Sequence, residues 1–324
     1  MEIENATVVK GLLSTPKYFP HWYMYDTRGS ILFDNAAMNN PHYHIYGNET
    51  RILKQNIVEI ISNVGNEVVL CELGAGSSTK TTHIISALLQ KNKQLTYIPI
   101  DVAKEFVEDT SRGLLAQFNN GLEVKPFAGN YIEGLCHLKT IRKEKLIIFL
   151  GNSFSNIPLH EMRSFLSHLK DAMGDNGRFL AGIDTTQDED TLRAMYTDPH
   201  TSVPFALNCL TRLNREFEAN FKLEMFRLNL ELVVRDGAVD MVDNPRYIQI
   251  ALKSTCKQDV NLEKLGLHMS FEADELMYVH ELESLSLKWT WDQFEDTMAK
   301  GGLCLQKKWS DESDIFGLVL MESI

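Results

Sequence analysis

One stretch, VVLCELGAGSSTKTTHIISALL from Val68 to Leu89, constrains the fold more than any other part of the chain. An apolar run ends at a glycine-rich loop, and apolar residues at helical spacing follow the loop. Strand, loop and helix in this order begin a β-α-β unit, whose strands lie parallel in a sheet. The stretch therefore predicts an α/β fold, with the loop at the carboxyl end of its strand, where such sheets bind ligands.

Strands and helices continue to alternate after this stretch. We predict further strands in LTYIPID, LEVKPFAGNY, KLIIFLGNSFSNI and GRFLAGIDTT, with helical segments between them. Near the end, GLCLQKKWSD and IFGLVLMES are typical of two strands that form a hairpin. The pattern predicts a Rossmann-like sheet of seven strands with helices on both faces.

Two regions interrupt the alternation, one at the N-terminus and one after about Pro199. We therefore predict a sheet domain of residues 49–198 plus 290–324. A smaller α+β lobe is predicted from residues 1–48 plus 199–289, because these contain a long helical stretch and alternating strands.

Charge and cysteine content exclude several classes of protein. The formal net charge of −12 argues against a nucleic-acid partner, which requires a basic surface. The five cysteines are scattered and form no C-x-x-C motif, which indicates reduced thiols. No apolar run is long enough to cross a membrane. We expect a monomeric, cytoplasmic protein with a small-molecule substrate and no membrane partner.

Three kinds of cofactor site contain a glycine loop of this type, and we compare each with the sequence. A P-loop would need glycine at Thr79, ahead of Lys80 and Thr81, and a dinucleotide fingerprint also needs glycine at Thr79. Asp101 ends the next predicted strand, where an acid can accept hydrogen bonds from both ribose hydroxyls. A loop without the third glycine best fits a nucleoside cofactor that has no pyrophosphate, such as S-adenosylmethionine (SAM). His42 and His44 have no third ligand nearby, so we predict no metal.

Several motifs resemble one family in the same order along the chain: YDTRGSILFD, PHYHIYGNE, ELGAGSSTKT, YIPIDVAKEF, IIFLGNSFSNI and NREFEANF. The chain is similar to the SAM-dependent histidine Nα-methyltransferases of ergothioneine biosynthesis. The resemblance implies a class I methyltransferase sheet with a substrate lobe. It also implies methylation of the α-amino group of an aromatic amino acid or its amine, up to the trimethylated betaine.

The resemblance further implies the residues of the site. Cofactor contacts are expected from Tyr25, Gly74, Lys80, Asp101, Asn130 and Tyr131, the last two standing where the family has Asp-Phe. Binding of the substrate's amino and carboxylate groups, and catalysis, are expected from Tyr43, Asn156 and Tyr196. Simpler interpretations stay open: a surface aromatic for Tyr43, a helix cap for Asn156 and a packing residue for Tyr196.

Two positions depart from the histidine-specific pattern. Anchoring the segment SLSLK on Ser286 and Lys288 places Ser284 where the family has the glutamate that grips imidazole. Ile250 stands where the family has methionine. With Ser284, Ile250 and Ser286 around the substrate side chain, a bulkier or less polar aromatic substrate, such as a tryptophan derivative, becomes the alternative to histidine. A second alternative is a SAM-binding module without catalytic activity.

Overall fold

The computed structural model describes residues 2–118, 120–234, 245–280 and 285–324, apart from the side chains of residues 2–5 and 285. Its helices are α1 (Glu2–Leu12), α2 (Thr27–Asn39), α3 (His44–Ser62), α4 (Thr81–Lys91), α5 (Lys104–Gln117), α6 (Tyr131–Lys139), α7 (Leu159–Met173), α8 (Glu189–Tyr196), α9 (Ser202–Phe217) and α10 (Trp291–Lys300). Short 3-10 helices span His21–Met24, Ser153–Asn156, Leu223–Met225 and Glu263–Leu265.

The strands, in chain order, are β1 (Lys17–Tyr18), β2 (Val69–Leu73), β3 (Leu95–Asp101), β4 (Leu122–Val124), β5 (Phe127–Ala128), β6 (Lys145–Phe149), β7 (Arg178–Asp184), β8 (Phe226–Val233), β9 (Arg246–Ser254), β10 (Gln258–Leu262), β11 (Leu267–Phe271), β12 (Leu276–Tyr278), β13 (Leu285–Lys288), β14 (Leu303–Ser310) and β15 (Phe316–Ser323).

The chain divides into two compact units. The smaller unit comprises residues 1–43, 188–233 and 247–285, and the larger comprises residues 44–187, 234–246 and 286–324. The boundaries expected from the sequence lay after residues 48, 198 and 289. The larger unit begins with the first residue of α3, so this long amphipathic helix belongs whole to the sheet that it packs against.

The larger unit is built on one sheet with the strand order β14-β15-β7-β6-β2-β3-β4, and β5 also pairs with β3. Strands β7, β6, β2, β3, β4 and β5 run parallel, as the alternation predicts. Every residue of β2 and β6 is buried, as expected for parallel strands with both faces covered. The predicted C-terminal hairpin is present: β15 lies antiparallel to β7, and β14 antiparallel to β15.

The third predicted strand, LEVKPFAGNY, is wrong as a single element. It forms two short strands, β4 and β5, which are separated at Lys125 and Pro126. Lys125 still donates its N–H to the carbonyl of Tyr97 at 2.8 Å. Pro126 has no N–H to continue the ladder, so the strand is interrupted there. The sheet consequently has eight described strands instead of the seven predicted.

The smaller unit combines helices with strands of a second sheet. In this sheet β8 and β12 lie antiparallel on either side of β9, and β1 runs parallel to β12. Strands β10 and β11 form a separate antiparallel hairpin. Helix α2 packs against α9, where Asn208 donates to the carboxylate of Asp26 at 2.8 Å. Across the described parts of both units, no helix has the length and apolar character of a membrane span.

Candidate active site

The loop after β2 contains two glycines with left-handed backbone conformations. Gly74 has φ +64° and Gly76 has φ +50°, a region that L side chains rarely adopt. A Cβ atom added to Gly74 would also lie 3.3 Å from the hydroxyl of Tyr131. No atom lies within 4 Å of a Cβ added to Gly76, so the turn presents its backbone to open space. The loop therefore has the close-approach geometry expected of a cofactor turn.

Asp101 closes this turn at the end of β3. One carboxylate oxygen accepts the N–H of Gly76 at 2.9 Å, and the other accepts the N–H of Ala103 at 2.9 Å. Burial raises the pKa of Asp101, although these N–H groups oppose the shift. Each carboxylate oxygen has a second lone pair, so Asp101 can hold the turn and still accept hydrogen bonds from ribose hydroxyls.

Glu72 lies beneath the loop and binds other side chains. Its carboxylate accepts the hydroxyl of Thr81 at 2.7 Å and the hydroxyl of Tyr97, which also contacts Ser78 at 2.9 Å. Burial raises the pKa of Glu72 to about 7, against the opposing hydrogen bonds. Glu72 thus connects β2, the start of α4 and β3, and so stabilises the three elements around the loop.

Lys80, at the start of α4, is paired with a carboxylate that is absent from the residues predicted from the sequence. Its ammonium forms an ion pair with Glu49 of α3 and lies 5.5 Å from the ring centre of Tyr46. Glu49 is completely buried, and both of its oxygens accept the N–H of Gly151, at 2.8 and 2.9 Å. The only sequence signal for Glu49 was its place at the end of the motif PHYHIYGNE.

Asn130 and Tyr131 begin helix α6. The side-chain carbonyl of Asn130 accepts the N–H of Glu133 at 3.0 Å, while Glu133 accepts the N–H of Asn130 at 2.9 Å, so the two form a capping box. One lone pair of the Asn130 carbonyl is left for an adenine amino group. The Tyr131 ring packs edge-on against Phe149, with centroids 4.8 Å apart, and its hydroxyl lies near Gly74.

Asn156 does not cap the helix that follows it. Helix α7 begins after Pro158 without a side-chain cap. The side-chain carbonyl oxygen of Asn156 instead accepts the N–H of Ser286 at 3.1 Å. This hydrogen bond joins two predicted substrate-binding residues. Ser286 has φ +49°, so the regular alternation of a strand does not continue through it. Ser284 lies outside the described residues.

A buried ion pair anchors the strand that contains Ser286. Lys288 donates to Asp184 at 2.5 Å, and both side chains are completely buried. Asp184 also accepts the hydroxyl of Thr186 at 2.6 Å and lies 3.3 Å from the ring nitrogen of His44. Desolvation raises the pKa of Asp184, but the charge of Lys288 and these hydrogen bonds outweigh it and lower the pKa well below its ordinary value.

The remaining predicted residues lie in the smaller unit. The rings of Tyr43 and Tyr196 meet edge to face, with centroids 6.2 Å apart and planes at 83°. Tyr25 packs edge-on against Phe33 and Phe205, at 5.6 and 5.2 Å. Ile250, the last of these predicted residues, is 8% exposed and donates its N–H to a ring nitrogen of His280 at 3.1 Å.

Comparison with known proteins decides the family. A family model described as histidine-specific methyltransferase, SAM-dependent, matches residues 4–323. The chain belongs to this family. Within the family it is similar to the histidine N-alpha-methyltransferase of Mycobacterium tuberculosis, with 30% identity over 97% of this chain and 92% of the relative. The counterpart from Mycolicibacterium smegmatis is 30% identical over 98% of this chain and 94% of its own length.

The chain is also similar to a protein whose name gives another substrate. A 4-dimethylallyltryptophan N-methyltransferase from Epichloe festucae var. lolii is 25% identical over 67% of this chain and 65% of the relative. These matches confirm the predictions of an enzyme, of SAM as its cofactor and of N-methylation as its reaction. They give no support to the alternative of a non-catalytic module. Among the described residues, no three His, Cys, Asp or Glu side chains form a metal-binding group.

Proposed function

We propose that this methyltransferase transfers methyl groups from SAM to the α-amino nitrogen of an aromatic amino acid. The observation that carries the proposal is the Gly74–Gly76 turn, hydrogen-bonded to Asp101, in a chain that matches the family over both units. A glycine turn and an acid at adjacent strand ends form the place where parallel sheets bind nucleosides.

The larger unit supplies the proposed cofactor contacts. Asp101 would accept hydrogen bonds from the ribose hydroxyls, and Asn130 would accept one from the adenine amino group. Tyr131 would stack on the adenine ring, and Tyr25 is proposed as a further cofactor contact. The Lys80 ammonium, which is already paired with Glu49, would also bind the carboxylate of the cofactor. When bound, SAM supplies a methyl group that its sulfonium centre has already activated.

Positioning of the substrate amine is the main catalytic task of this chain, because the methyl group needs little further activation. The substrate's ammonium must first lose a proton, since only the neutral amine has a lone pair. Tyr43, Tyr196 and Asn156 hold the amine and the carboxylate, so that the lone pair is directed at the methyl group. No N–H need be bonded in the last transfer, so methylation can proceed to the quaternary ammonium.

Substrate choice is proposed to depend on Ile250, Ser284 and Ser286. Neither isoleucine nor serine offers a carboxylate to an imidazole ring, so we propose a bulkier or less polar side chain than that of histidine. Restoring the carboxylate with Ser284→Glu is expected to raise the ratio of histidine to tryptophan turnover. An unchanged ratio would mean that another residue faces the side chain.

Incubation with SAM and a panel of amino acids and amines tests the proposed function. Mass spectrometry counts the methyl groups on each product, and the ratio of kcat/KM values ranks histidine against tryptophan and its derivatives. Asp101→Ala serves as the control that weakens cofactor binding. Methylation of none of the panel by the wild-type protein would refute the proposal.

We also propose a monomeric enzyme in the cytoplasm, without a nucleic-acid or membrane partner. The net charge of −12 supports the absence of a nucleic-acid partner, and the scattered thiols support a reducing compartment. Analytical ultracentrifugation of the purified protein tests the monomer, and a stable dimer would contradict it.

A further inference from the structure

We propose that Asn40 is a positioning residue, which sets the relative placement of Tyr43 and Tyr196. The inference rests on the proposed function, which assigns both tyrosines to the substrate's amino-acid group. Asn40 follows the last residue of α2 and is only 5% exposed. A buried amide must find its hydrogen-bond partners within the protein, so its bonds define the geometry around it.

The side chain of Asn40 uses both its donor and its acceptor groups. Its NH₂ group donates to the carbonyl of Met195 at 2.8 Å and to the hydroxyl of Ser202 at 3.3 Å. Its carbonyl oxygen accepts the N–H of His42 at 2.9 Å. The hydroxyl of Ser202 donates to Met195 as well, at 3.1 Å, so the carbonyl of Met195 has two donors.

These partners lie one residue before each tyrosine. His42 directly precedes Tyr43, and Met195 directly precedes Tyr196. The backbone carbonyl of Asn40 also accepts the N–H of Tyr43 at 3.1 Å. One buried amide therefore joins the two backbone segments from which the tyrosine rings project, and the rings meet edge to face at 6.2 Å.

The three described side-chain hydrogen bonds of Asn40 go to Met195, Ser202 and His42, so its removal acts through backbone placement. Asn40→Ala removes the side-chain acceptor of the His42 N–H. Of the two side-chain donors to the Met195 carbonyl, it leaves only the Ser202 hydroxyl. The rings can then drift apart, which weakens binding of the amino-acid group. We expect kcat/KM for the amino acid to fall about tenfold, mainly through KM, because a lost buried hydrogen bond has about this effect. SAM affinity should stay unchanged, since Asp101 and Lys80 are intact.

The experiment compares Asn40→Ala with a matched variant, Asn214→Ala. Asn214 also lies in the smaller unit and makes two 2.9 Å bonds, with the N–H and carbonyl of Phe221, remote in sequence from both tyrosines. Both variants remove hydrogen bonds between an asparagine side chain and the backbone, so both should lower the melting temperature. Only Asn40→Ala should raise KM. Asn40→Asp keeps the acceptor for His42 but loses the donor to Met195, so it should resemble Asn40→Ala.

A double-mutant cycle separates positioning from a general loss of stability. In a Tyr43→Phe background, Asn40→Ala should lower kcat/KM by less than about threefold, because contacts that share one network are not additive. Ser202→Ala, which removes a weaker partner, should give an intermediate KM even if Asn40→Ala folds poorly. Equal KM values for the Asn40 and Asn214 variants, or a fully additive cycle, would overturn the inference alone. A wild-type protein that methylates no amino acid would overturn the proposed function and this inference with it.

Discussion

Replacing Lys288 with methionine is expected to destabilise the protein strongly, because it leaves the carboxylate of Asp184 buried without its cation. Both side chains are completely buried, and the nitrogen and oxygen lie 2.5 Å apart. Removing one partner of such a pair costs about 3–5 kcal/mol. Asp184 would keep the hydroxyl of Thr186 at 2.6 Å and the ring nitrogen of His44 at 3.3 Å, which offset only part of the loss.

Protonation of Asp184 limits how much unfolding free energy the Lys288→Met variant loses. The ordinary pKa of this carboxyl is 3.8, and holding it protonated costs about 1.4 kcal/mol for each pH unit above that value. The variant can therefore lose at most about 4.5 kcal/mol of unfolding free energy at pH 7 and about 1.7 kcal/mol at pH 5. In the wild type the Asp184 pKa is lowered, so its stabilisation is present above pH ~4 and is lost only as the pH falls below that. The difference between the two proteins should shrink from pH 7 to pH 5.

Urea unfolding followed by tryptophan fluorescence measures this difference, since Trp289 is fully buried beside Lys288 in the chain. Lys300→Met is the matched control, because it breaks a half-exposed pair with Asp296 and should change stability very little. The double variant Asp184→Asn, Lys288→Met removes both charges and should recover part of the loss. A loss below about 1 kcal/mol for Lys288→Met, the size of a surface pair, would refute the reasoning. A loss of equal size at both pH values would refute it as well.

Three further predictions concern the cofactor turn. Asp101→Ala should weaken SAM binding about 10- to 100-fold by calorimetry, because charge-assisted hydrogen bonds are lost; unchanged affinity would place the ribose elsewhere. Gly74→Ala should cost about 1–2 kcal/mol in left-handed strain and also weaken SAM binding through its approach to Tyr131; a wild-type melting temperature would contradict this. Burial raises the Glu72 pKa to about 7 from 4.5, so the wild type loses stability as the pH rises through that window. Glu72→Gln should gain stability relative to wild type from pH 4.5 to 7 in urea unfolding, and a constant difference would argue against the raised pKa.

The parallel sheet could be predicted from the sequence because its signals are local. Strands β2, β6 and β7 are short apolar runs that end in turn residues, and helices with regular apolar spacing separate them. The glycine turn could also be predicted, since glycine is the residue that most readily adopts the positive φ found at positions 74 and 76. The prediction of a single strand in LEVKPFAGNY was wrong because it relied on the apolar residues and neglected Pro126, which interrupts the pairing after β4.

The residues that hold the site could not be predicted, because their partners are distant in sequence. Glu49 and Lys80 are 31 residues apart, and Asp184 and Lys288 are 104 residues apart. A lone acid or lysine in a sequence resembles any solvated charge until the fold brings its partner near. Asn40 gave no signal either, because an asparagine after a helix is an ordinary helix end. Motifs locate the groups that face ligands, whereas supporting groups need the three-dimensional structure.

The interleaved path of the chain has a consequence for its biosynthesis. Asp26 and Asn208 are hydrogen-bonded, yet 182 residues separate them. At about 5–20 residues per second, the ribosome needs roughly 9–36 s to reach the second from the first. Helix α2 therefore emerges long before the helix that covers it, and must be kept from misfolding in the meantime. For the same reason, neither unit corresponds to one continuous gene segment, so neither can be expressed alone by simple truncation.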